Sequence, residues 1–368
     1  MTPEELRADV PALDDVVYLN TGAAAPNPRR VVEASRLAQE RLSYEAPAED
    51  GKYAAAQGAF DDARAAVADH VDADPDAVAL TQSTTHGIGR LVAAMDWSPG
   101  DVVVRTDLEH AAGIFPCQRL ARRHGAEVRV VETEGGRIDR ESYEAAVEGA
   151  KLVLFSSLTW THGTRQPVTD LVEVAHDAGA RVLVDAVQSV GQRPVDLDAW
   201  GADAVAAGAH KWLMGTSGAG FLAVDPAFAR ELTPPVVGYR SVEDAGAESY
   251  VLRPDARRFE VGTAPVGPYA AMREGMAILD ELGYDTVTDR IERLTDRLKE
   301  GLGDERLVSP REYESGLVTF TADDPEATVD RLADAGIRVR SLPHGDTVRA
   351  SVHVFNDATD VDALLDAL

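Results

Sequence analysis

The chain is organised by a repeated alternation of short apolar runs and amphipathic stretches that begins near residue 77. Runs such as "DVVVRTD", "KLVLFSS" and "ARVLVDAV" are nearly continuous in apolar residues, and stretches with helical spacing such as "VTDLVEVAHDAG" separate them. Strands that are apolar on both faces are typical of parallel sheets covered by helices on each side. The pattern therefore predicts an α/β fold with a mostly parallel sheet in its larger domain.

Unusual polar residues follow four of the predicted strands directly. They fall in the segments "TQSTTHG", "TDLEHAAG", "SSLTWTHG" and "DAVQSVG". Ligands of open α/β sheets bind beyond the carboxyl ends of the strands. We therefore expect the chemistry of this protein at that edge of the sheet.

The texture of the sequence changes after about residue 262. A long helical stretch, "PYAAMREGMAILDELG", leads into short strand and helix patterns that continue to the last segment, "DVDALLDAL". We predict a large domain over residues 16–262. Residues 1–15 and 263–368 are predicted to form a smaller α/β domain.

Lysine is rare in this chain. The four lysines are Lys52, Lys151, Lys211 and Lys299, and arginine supplies the other 32 of the 36 basic residues. We interpret Lys52 and Lys299 as surface residues and Lys151 as a charge at a strand edge. Lys211 lies between a histidine and a tryptophan in "AGAHKWLMGTSGAG" and fits neither description. Since an amine can perform chemistry that a guanidinium cannot, Lys211 is a candidate catalytic residue.

Composition excludes several classes of function. The formal net charge of -27 is spread along the chain, so no basic face exists for nucleic acid and the surface suits a salt-rich cytosol. The single cysteine, Cys117, excludes an intrachain disulfide and a multi-cysteine metal site, and no metal is predicted. The sequence shows no signal pattern and no membrane-spanning run, so we expect a cytoplasmic protein.

Three residues in a fixed order connect Lys211 to a known chemistry. Asp185 ends an apolar strand, Gln188 follows three residues later, and Lys211 comes 26 residues after Asp185. This order resembles the fold type I enzymes that use pyridoxal 5'-phosphate (PLP), and in particular the class V aminotransferase family with its cysteine desulfurase and isopenicillin-N epimerase-like branch. The resemblance runs from "VVYLNTGAAAPNP" to "TVRASVHVFN". It implies a sheet of the seven-stranded type and PLP as the cofactor.

The resemblance also implies roles for the residues that contact the cofactor. Lys211 would bind PLP as a Schiff base and move the substrate Cα proton, Asp185 would pair with the pyridine nitrogen, and Gln188 would donate to the phenolic oxygen. His110 would stack on the ring, although a residue at a helix N-terminus is the alternative. The remaining contacts are assigned to Thr84, Thr85, Thr159 and His210. Ser83, Thr84 and Thr85 could equally be helix caps.

Further residues are implied for the substrate and for a second subunit. Arg349 matches the arginine that binds the substrate α-carboxylate, with a surface charge as the alternative, because its planar fork suits bidentate recognition. Asn20, Gly22 and Ala23 match the segment that lines the substrate pocket. Thr263 matches a residue that reaches the phosphate of the neighbouring subunit, which implies a homodimer.

Departures from the family pattern bear on the reaction. The phosphate-contacting serine is replaced by Gly208, and an asparagine near the ring oxygen is replaced by Trp160. The loop "RSLPHGD" before Arg349 has no cysteine where a desulfurase carries its nucleophile. We therefore favour transamination of an amino acid through a Cα carbanion and predict poor cysteine desulfurase activity. A C–S lyase, an epimerase, a desulfurase-like enzyme and a non-catalytic PLP-binding protein remain as alternatives.

Overall fold

The computed structural model describes residues 1–343 and 345–368 of the chain. Its strands are β1 (Val17–Tyr18), β2 (Val78–Thr81), β3 (Val102–Thr106), β4 (Glu127–Val131), β5 (Thr133–Glu134), β6 (Arg137–Ile138), β7 (Ala150–Ser156), β8 (Arg181–Asp185), β9 (Ala204–Gly208), β10 (Gly220–Val224), β11 (Leu317–Thr321), β12 (Ile337–Arg338), β13 (Arg340–Ser341) and β14 (Thr347–Ser351).

Helices connect and cover these strands. They are α1 (Pro3–Ala8), α2 (Arg29–Glu40), α3 (Lys52–His70), α4 (Thr84–Ala94), α5 (Ala111–His124), α6 (Arg140–Val147), α7 (Val168–Asp177), α8 (Leu197–Trp200), α9 (Pro226–Glu231), α10 (Gly267–Leu282), α11 (Tyr284–Leu302), α12 (Pro325–Asp334) and α13 (Ala358–Ala367). Over the described ranges, no helix combines the length and the apolar character that crossing a bilayer requires.

The central sheet has the predicted architecture. Within the described residues it contains seven strands in the order β2-β10-β9-β8-β7-β3-β4. Its pairs are parallel except for those of β10, which runs antiparallel to β2 and β9. Along β8, Val182 and Val184 join one core cluster and Leu183 joins the cluster on the opposite face. Both faces are therefore covered, as the continuous apolar runs predict, and the α/β fold of type I is confirmed.

A second, smaller sheet carries the carboxyl-terminal part of the fold. It has the order β11-β14-β13 and is antiparallel, with a separate core formed by residues such as Leu298, Phe320 and Val348. β1 pairs in parallel with β12, so residues near the start of the chain join this region. The domain boundaries at residues 16 and 262 stay a prediction.

Candidate active site

The carboxyl ends of the central strands surround a cavity of about 160 Å³. This cavity collects nine of the predicted site residues, because parallel strands present their carboxyl ends at one edge of the sheet. These nine are Gly22, Ala23, Thr84, Thr85, His110, Asp185, Gln188, His210 and Lys211. Residues that lie far apart in the sequence thus meet in one place.

Asp185 and Lys211 carry opposite charges and both line this cavity. Asp185, the last residue of β8, is buried and accepts a hydrogen bond on Oδ1 from the Val187 main-chain N at 3.0 Å. Burial raises its pKa, while the Lys211 ammonium acts in the opposite direction. Burial also lowers the pKa of Lys211 to about 8, against the attraction of Asp185. Lys211 can therefore present a neutral amine near physiological pH.

The N-terminus of α4 forms one end of the cavity. Ser83 is the helix cap, since its Oγ accepts from the His86 main-chain N at 3.2 Å. Thr84 is not needed for capping, and its buried Oγ1 has no hydrogen-bond partner among the described residues. A buried hydroxyl without a partner is costly, so an anion at this helix N-terminus would satisfy it. The arrangement fits the phosphate of PLP.

Gly208 leaves room at this end. A Cβ added there would lie 3.0 Å from Thr84 Oγ1 and 3.4 Å from His210 Nδ1. A serine in its place would therefore crowd the threonine hydroxyl. With glycine at residue 208, the polar groups at this end of the cavity are Thr84, Thr85, His210 and the helix N-terminus.

His110 lies at a helix N-terminus, as one of its two sequence interpretations states, and its stacking on the cofactor stays a prediction. It caps α5, because its Nδ1 accepts from the Ala112 main-chain N at 3.2 Å, and it also lines the cavity. Burial, followed by the nearby positive charge of Lys211, lowers its pKa. Trp160 lies edge-on to its ring, with the centroids 5.6 Å apart. An imidazole held by this hydrogen bond and by the edge-on indole suits stacking on an aromatic ring.

Arg349 lies beyond Gly22 and has unused hydrogen-bonding capacity. It is fully buried, and Nη1 donates to the Trp160 main-chain O at 2.7 Å, while Nε and Nη2 have no partner within the described part of the chain. Burial lowers its pKa to about 9, which leaves it cationic at neutral pH. The alternative interpretation as a surface charge is wrong.

Other unsatisfied polar atoms accompany Arg349. Asn20 Oδ1, Thr21 Oγ1 and Ser351 Oγ are also buried without a partner among the described residues. A Cβ added to Gly22 would lie 2.8 Å from Arg349 Nη2 and 2.9 Å from Ser351 Oγ. Glycine therefore keeps open the space next to an arginine fork. This space suits the carboxylate of an amino acid.

One residue that lines the cavity and one that contacts its lining were not predicted from the sequence. Arg340 lines the cavity, and its Cα is the register partner of Arg349 across β13 and β14. Glu109 is buried three residues after the end of β3 and accepts from Thr106 Oγ1 at 2.6 Å and from Ser156 Oγ at 2.7 Å, and Ser156 lines the cavity. Burial raises the pKa of Glu109 to about 7. The sequence features that could have indicated them are the position of Arg340 in the loop before Arg349 and that of Glu109 directly before His110.

Four predicted residues do not line this cavity: Asn20 and Arg349, which lie next to Gly22 as described above, and Thr159 and Thr263. Thr159 Oγ1 accepts from the Thr164 main-chain N at 3.0 Å, inside a turn. Thr263 lies at a different cavity of about 180 Å³, where its Oγ1 is 3.1 Å from Tyr239 Oη. A contact of Thr263 with the cofactor of a second subunit stays a prediction.

Cys117 lies away from the cavity. It is fully buried in α5 and packs in the core cluster that contains Leu120 and Leu154. Burial raises the pKa of its thiol to about 12, so a thiolate is strongly disfavoured. In the described parts of the chain, no group of three or more His, Cys, Asp or Glu side chains is arranged to hold a metal.

Replacing Arg349 with alanine should weaken substrate binding and leave PLP binding intact. The lost charge-assisted pair should raise KM for an α-amino acid roughly 30- to 1000-fold, equivalent to about 2 to 4 kcal/mol. Arg349→Lys keeps the charge but lacks the planar fork, so its KM should lie between those of the wild type and Arg349→Ala. Steady-state kinetics and cofactor titration measure the effects, with Arg338→Ala as the control. An unchanged KM would remove Arg349 from the substrate site.

Comparisons with known proteins agree with this geometry. A family profile described as "Aminotransferase class-V" matches residues 17–364. A probable cysteine desulfurase of Methanothermobacter thermautotrophicus is 32% identical over 394 residues, which cover 100% of this chain and 98% of that protein.

Two solved structures are similar over nearly their whole length. One is a C-DES variant with glycine covalently linked to the PLP cofactor, with a TM-score of 0.92 and 26% identity, covering 98% of each chain. The other is a complex of the cystine C-S lyase C-DES with its reaction product, cysteine persulfide. It has a TM-score of 0.90 and 26% identity, and covers 97% of this chain and 98% of that one.

Proposed function

We propose a reaction on the premise that this chain belongs to the class V aminotransferase family and is a PLP-dependent enzyme. The proposed activity is a C–S lyase reaction, in which the bond between Cβ and sulfur of a sulfur-containing amino acid is cleaved. The relatives described above are named for carbon–sulfur chemistry, which favours this reaction over the transamination that we prefer from the sequence.

The position of the only thiol carries the choice between lyase and desulfurase. A desulfurase transfers sulfur to an enzyme cysteine, whereas Cys117 lies in the core with a raised pKa. No other cysteine occurs in the chain. The sulfur must therefore leave with the bonding electrons instead of passing to the protein.

The site residues have separate tasks in this reaction. Arg349 would hold the substrate carboxylate, and the neutral Lys211 amine would take the proton from Cα at its Nζ. His110 and the phosphate-binding end around Thr84 would hold the cofactor in place, and Asp185 would keep its pyridine nitrogen protonated. When bound, PLP supplies an electron sink that acidifies the Cα–H bond of the attached amino acid.

The proposed reaction balances without an added oxidant or reductant. The Cα proton goes to Lys211, the electron pair of that bond forms a Cα–Cβ double bond, and the Cβ–S pair leaves with sulfur. Hydrolysis of the unsaturated amino acid then gives pyruvate and ammonia. L-Cysteine would yield sulfide, and L-cystine would yield cysteine persulfide.

We also propose that the enzyme works as a homodimer. Thr263 lies outside the cavity of its own chain, as expected for a residue that serves another subunit. The second cavity, which includes Thr263, is also lined by His86 and Arg90. This arrangement supports a contact with the other subunit's phosphate.

The product of the reaction tests the proposed function. With L-cysteine or L-cystine, we expect equal amounts of pyruvate and ammonia, together with sulfide or persulfide. Cys117→Ser should keep at least about half of the wild-type turnover, because Cys117 packs in the apolar core and does not line the cavity. The assay is product analysis with bound PLP verified in both proteins.

Other products would assign another reaction. Alanine with sulfide, lost in Cys117→Ser, would make the protein a desulfurase. A sulfur-containing keto acid that forms only with an amino acceptor would indicate transamination, and a D-amino acid would indicate epimerisation. Any of these three outcomes contradicts the lyase proposal.

A further inference from the structure

The amide of Gln188 is held at both ends by groups that form hydrogen bonds in only one direction. Trp212 Nε1 donates to Gln188 Oε1 at 2.8 Å, and Gln188 Nε2 donates to the Gly22 main-chain O at 3.0 Å. An indole nitrogen can only donate, and a carbonyl oxygen can only accept. The two contacts therefore determine which end of the amide carries the NH₂ group. One hydrogen of that group is used by Gly22, which leaves the other for a ligand in the cavity that Gln188 lines.

Trp212 is itself fixed by its surroundings. The side chain is fully buried between Leu158 and Leu317. A Cβ added to Gly316 would lie 2.8 Å from the indole ring, so the backbone of that glycine lies against it. A ring packed this closely cannot change rotamer without moving its neighbours. The Trp212 indole N–H is therefore held in its orientation toward Gln188 Oε1.

His353 holds Trp212 from the side of the small sheet. Its Nε2 donates to the Trp212 main-chain O at 3.0 Å, and the two rings stack with centroids 5.5 Å apart. Val354 N donates to His353 Nδ1 at 2.7 Å, so both ring nitrogens are satisfied in the neutral form. Burial lowers the pKa of His353 to about 4, which keeps it neutral over the usual range of assay pH.

These contacts connect the segment that carries Lys211 with the strand that carries Arg349. Trp212 directly follows Lys211, whereas His353 lies shortly after β14, the strand that carries Arg349. A continuous series of contacts therefore links the segment after β14 through His353 and Trp212 to Gln188.

We propose that Trp212 is a positioning residue whose indole N–H fixes the Gln188 amide, so that its NH₂ group faces the phenolic oxygen of bound PLP. The inference concerns the cofactor and does not depend on the substrate or on the type of reaction. Without the indole donor, Gln188 Oε1 is a buried acceptor with no partner, and the broad last torsion of the side chain lets the amide turn. The ring oxygen then loses its donor.

The acid–base transition in the visible absorption of the PLP-loaded protein reports this donor. A hydrogen bond to the phenolic oxygen draws negative charge away from the proton on the nearby lysine nitrogen, so that proton is held less tightly. In Trp212→Phe, which removes the N–H but keeps an aromatic ring, the midpoint should rise by about one pH unit. Gln188→Leu should raise it by a similar amount.

A double-mutant cycle separates positioning from a structural role. If Trp212 acts through Gln188, then Trp212→Phe in the Gln188→Leu background should shift the midpoint no further. Phe355→Leu is the matched control. Phe355 stacks on His353 at 4.7 Å, so this variant should lower Tm without moving the midpoint. Additive shifts, or a Trp212→Phe protein that loses stability but keeps the wild-type midpoint, would overturn the proposal.

A second measurement leaves Trp212 in place. The chain has four tryptophans, so the indole N–H groups can be resolved by NMR of the holoenzyme. In Gln188→Leu, one indole resonance should move upfield and its N–H should exchange faster with solvent, since its acceptor is lost. If all four resonances keep their shifts and exchange rates, the hydrogen bond does not exist in solution and the proposal fails.

Discussion

Replacing Lys211 with alanine should abolish covalent attachment of PLP and lower turnover by on the order of 10⁴-fold or more. Lys211 is the lysine that lines the cavity, and its side chain is the base proposed for the Cα proton. Borohydride treatment of the wild-type holoenzyme should fix the cofactor to Lys211, as located by peptide mass spectrometry. Recovery of the adduct on another lysine would contradict this assignment.

The pH dependence of cofactor uptake gives an independent check on Lys211. Attachment needs a neutral amine, and burial lowers the pKa of Lys211 to about 8. Because less of the amine is neutral below that value, the uptake rate of cofactor-free protein should fall about tenfold for each pH unit below 8 and level off above it. A profile that still rises steeply at pH 10 would indicate an ordinary exposed lysine.

Lys299 provides the matched control for these experiments. It is only 1% exposed, and its Nζ donates to the Glu312 main-chain O at 2.7 Å. Its interpretation as a surface residue from the sequence is therefore wrong, because the helical pattern does not reveal that α11 is covered by the small sheet. Lys299→Met should change Tm but neither cofactor attachment nor its pH profile.

The part of the site that could be predicted follows from the sheet. Asp185 and Lys211 come after strands with continuous apolar runs, and Thr84 begins the helix after another. The carboxyl ends of such strands meet at one edge whatever the details of packing. Strand periodicity and loop position were thus sufficient for Thr84 and Asp185, whereas Lys211 was assigned to the same site through the resemblance to the class V family.

The rest depends on register and on long-range packing, which a single sequence does not show. Arg340 reaches the cavity because β13 and β14 pair in the register that sets it opposite Arg349. A shift by one residue would turn it to the other face. Thr159 follows a strand like the other candidates, but its hydroxyl closes a turn with Thr164 instead of facing the cavity. Gly208 departs from the serine of the family pattern, which the sequence shows. The reason, that a side chain there would crowd Thr84 Oγ1, is visible only in the structure.

Asp185→Asn should lower turnover by about 10³-fold and leave the fold intact. An amide of the same shape cannot hold the pyridine nitrogen protonated, so the cofactor withdraws electrons less well in the transition state as well as in the ground state. The loss in kcat should therefore exceed the loss in PLP affinity. Near-normal turnover of this variant would show that Asp185 does not pair with the cofactor.

The same substitution, Asp185→Asn, should not destabilise the cofactor-free protein, although it lowers turnover. Asp185 is a buried carboxylate with a single main-chain donor, and burial raises its pKa, so the charged form is costly in the absence of PLP. At pH 9, where Lys211 is mostly neutral, Asp185→Asn should have a Tm equal to or higher than that of the wild type. Such a gain is expected where a residue is retained for function at the expense of stability.

Asp203 supplies the contrast that makes this prediction specific. It is also a buried carboxylate, but it precedes β9 and accepts from Arg181 Nη1 at 2.8 Å and from the Val182 main-chain N at 2.7 Å. Because its charge is paired, Asp203→Asn should lower Tm and leave kcat unchanged. Thermal unfolding and steady-state kinetics are measured on both variants. If Asp185 serves the cofactor, Asp185→Asn loses kcat but not Tm, and Asp203→Asn loses Tm but not kcat. A loss of Tm in both, with similar losses in kcat, would mean that Asp185 is another structural carboxylate.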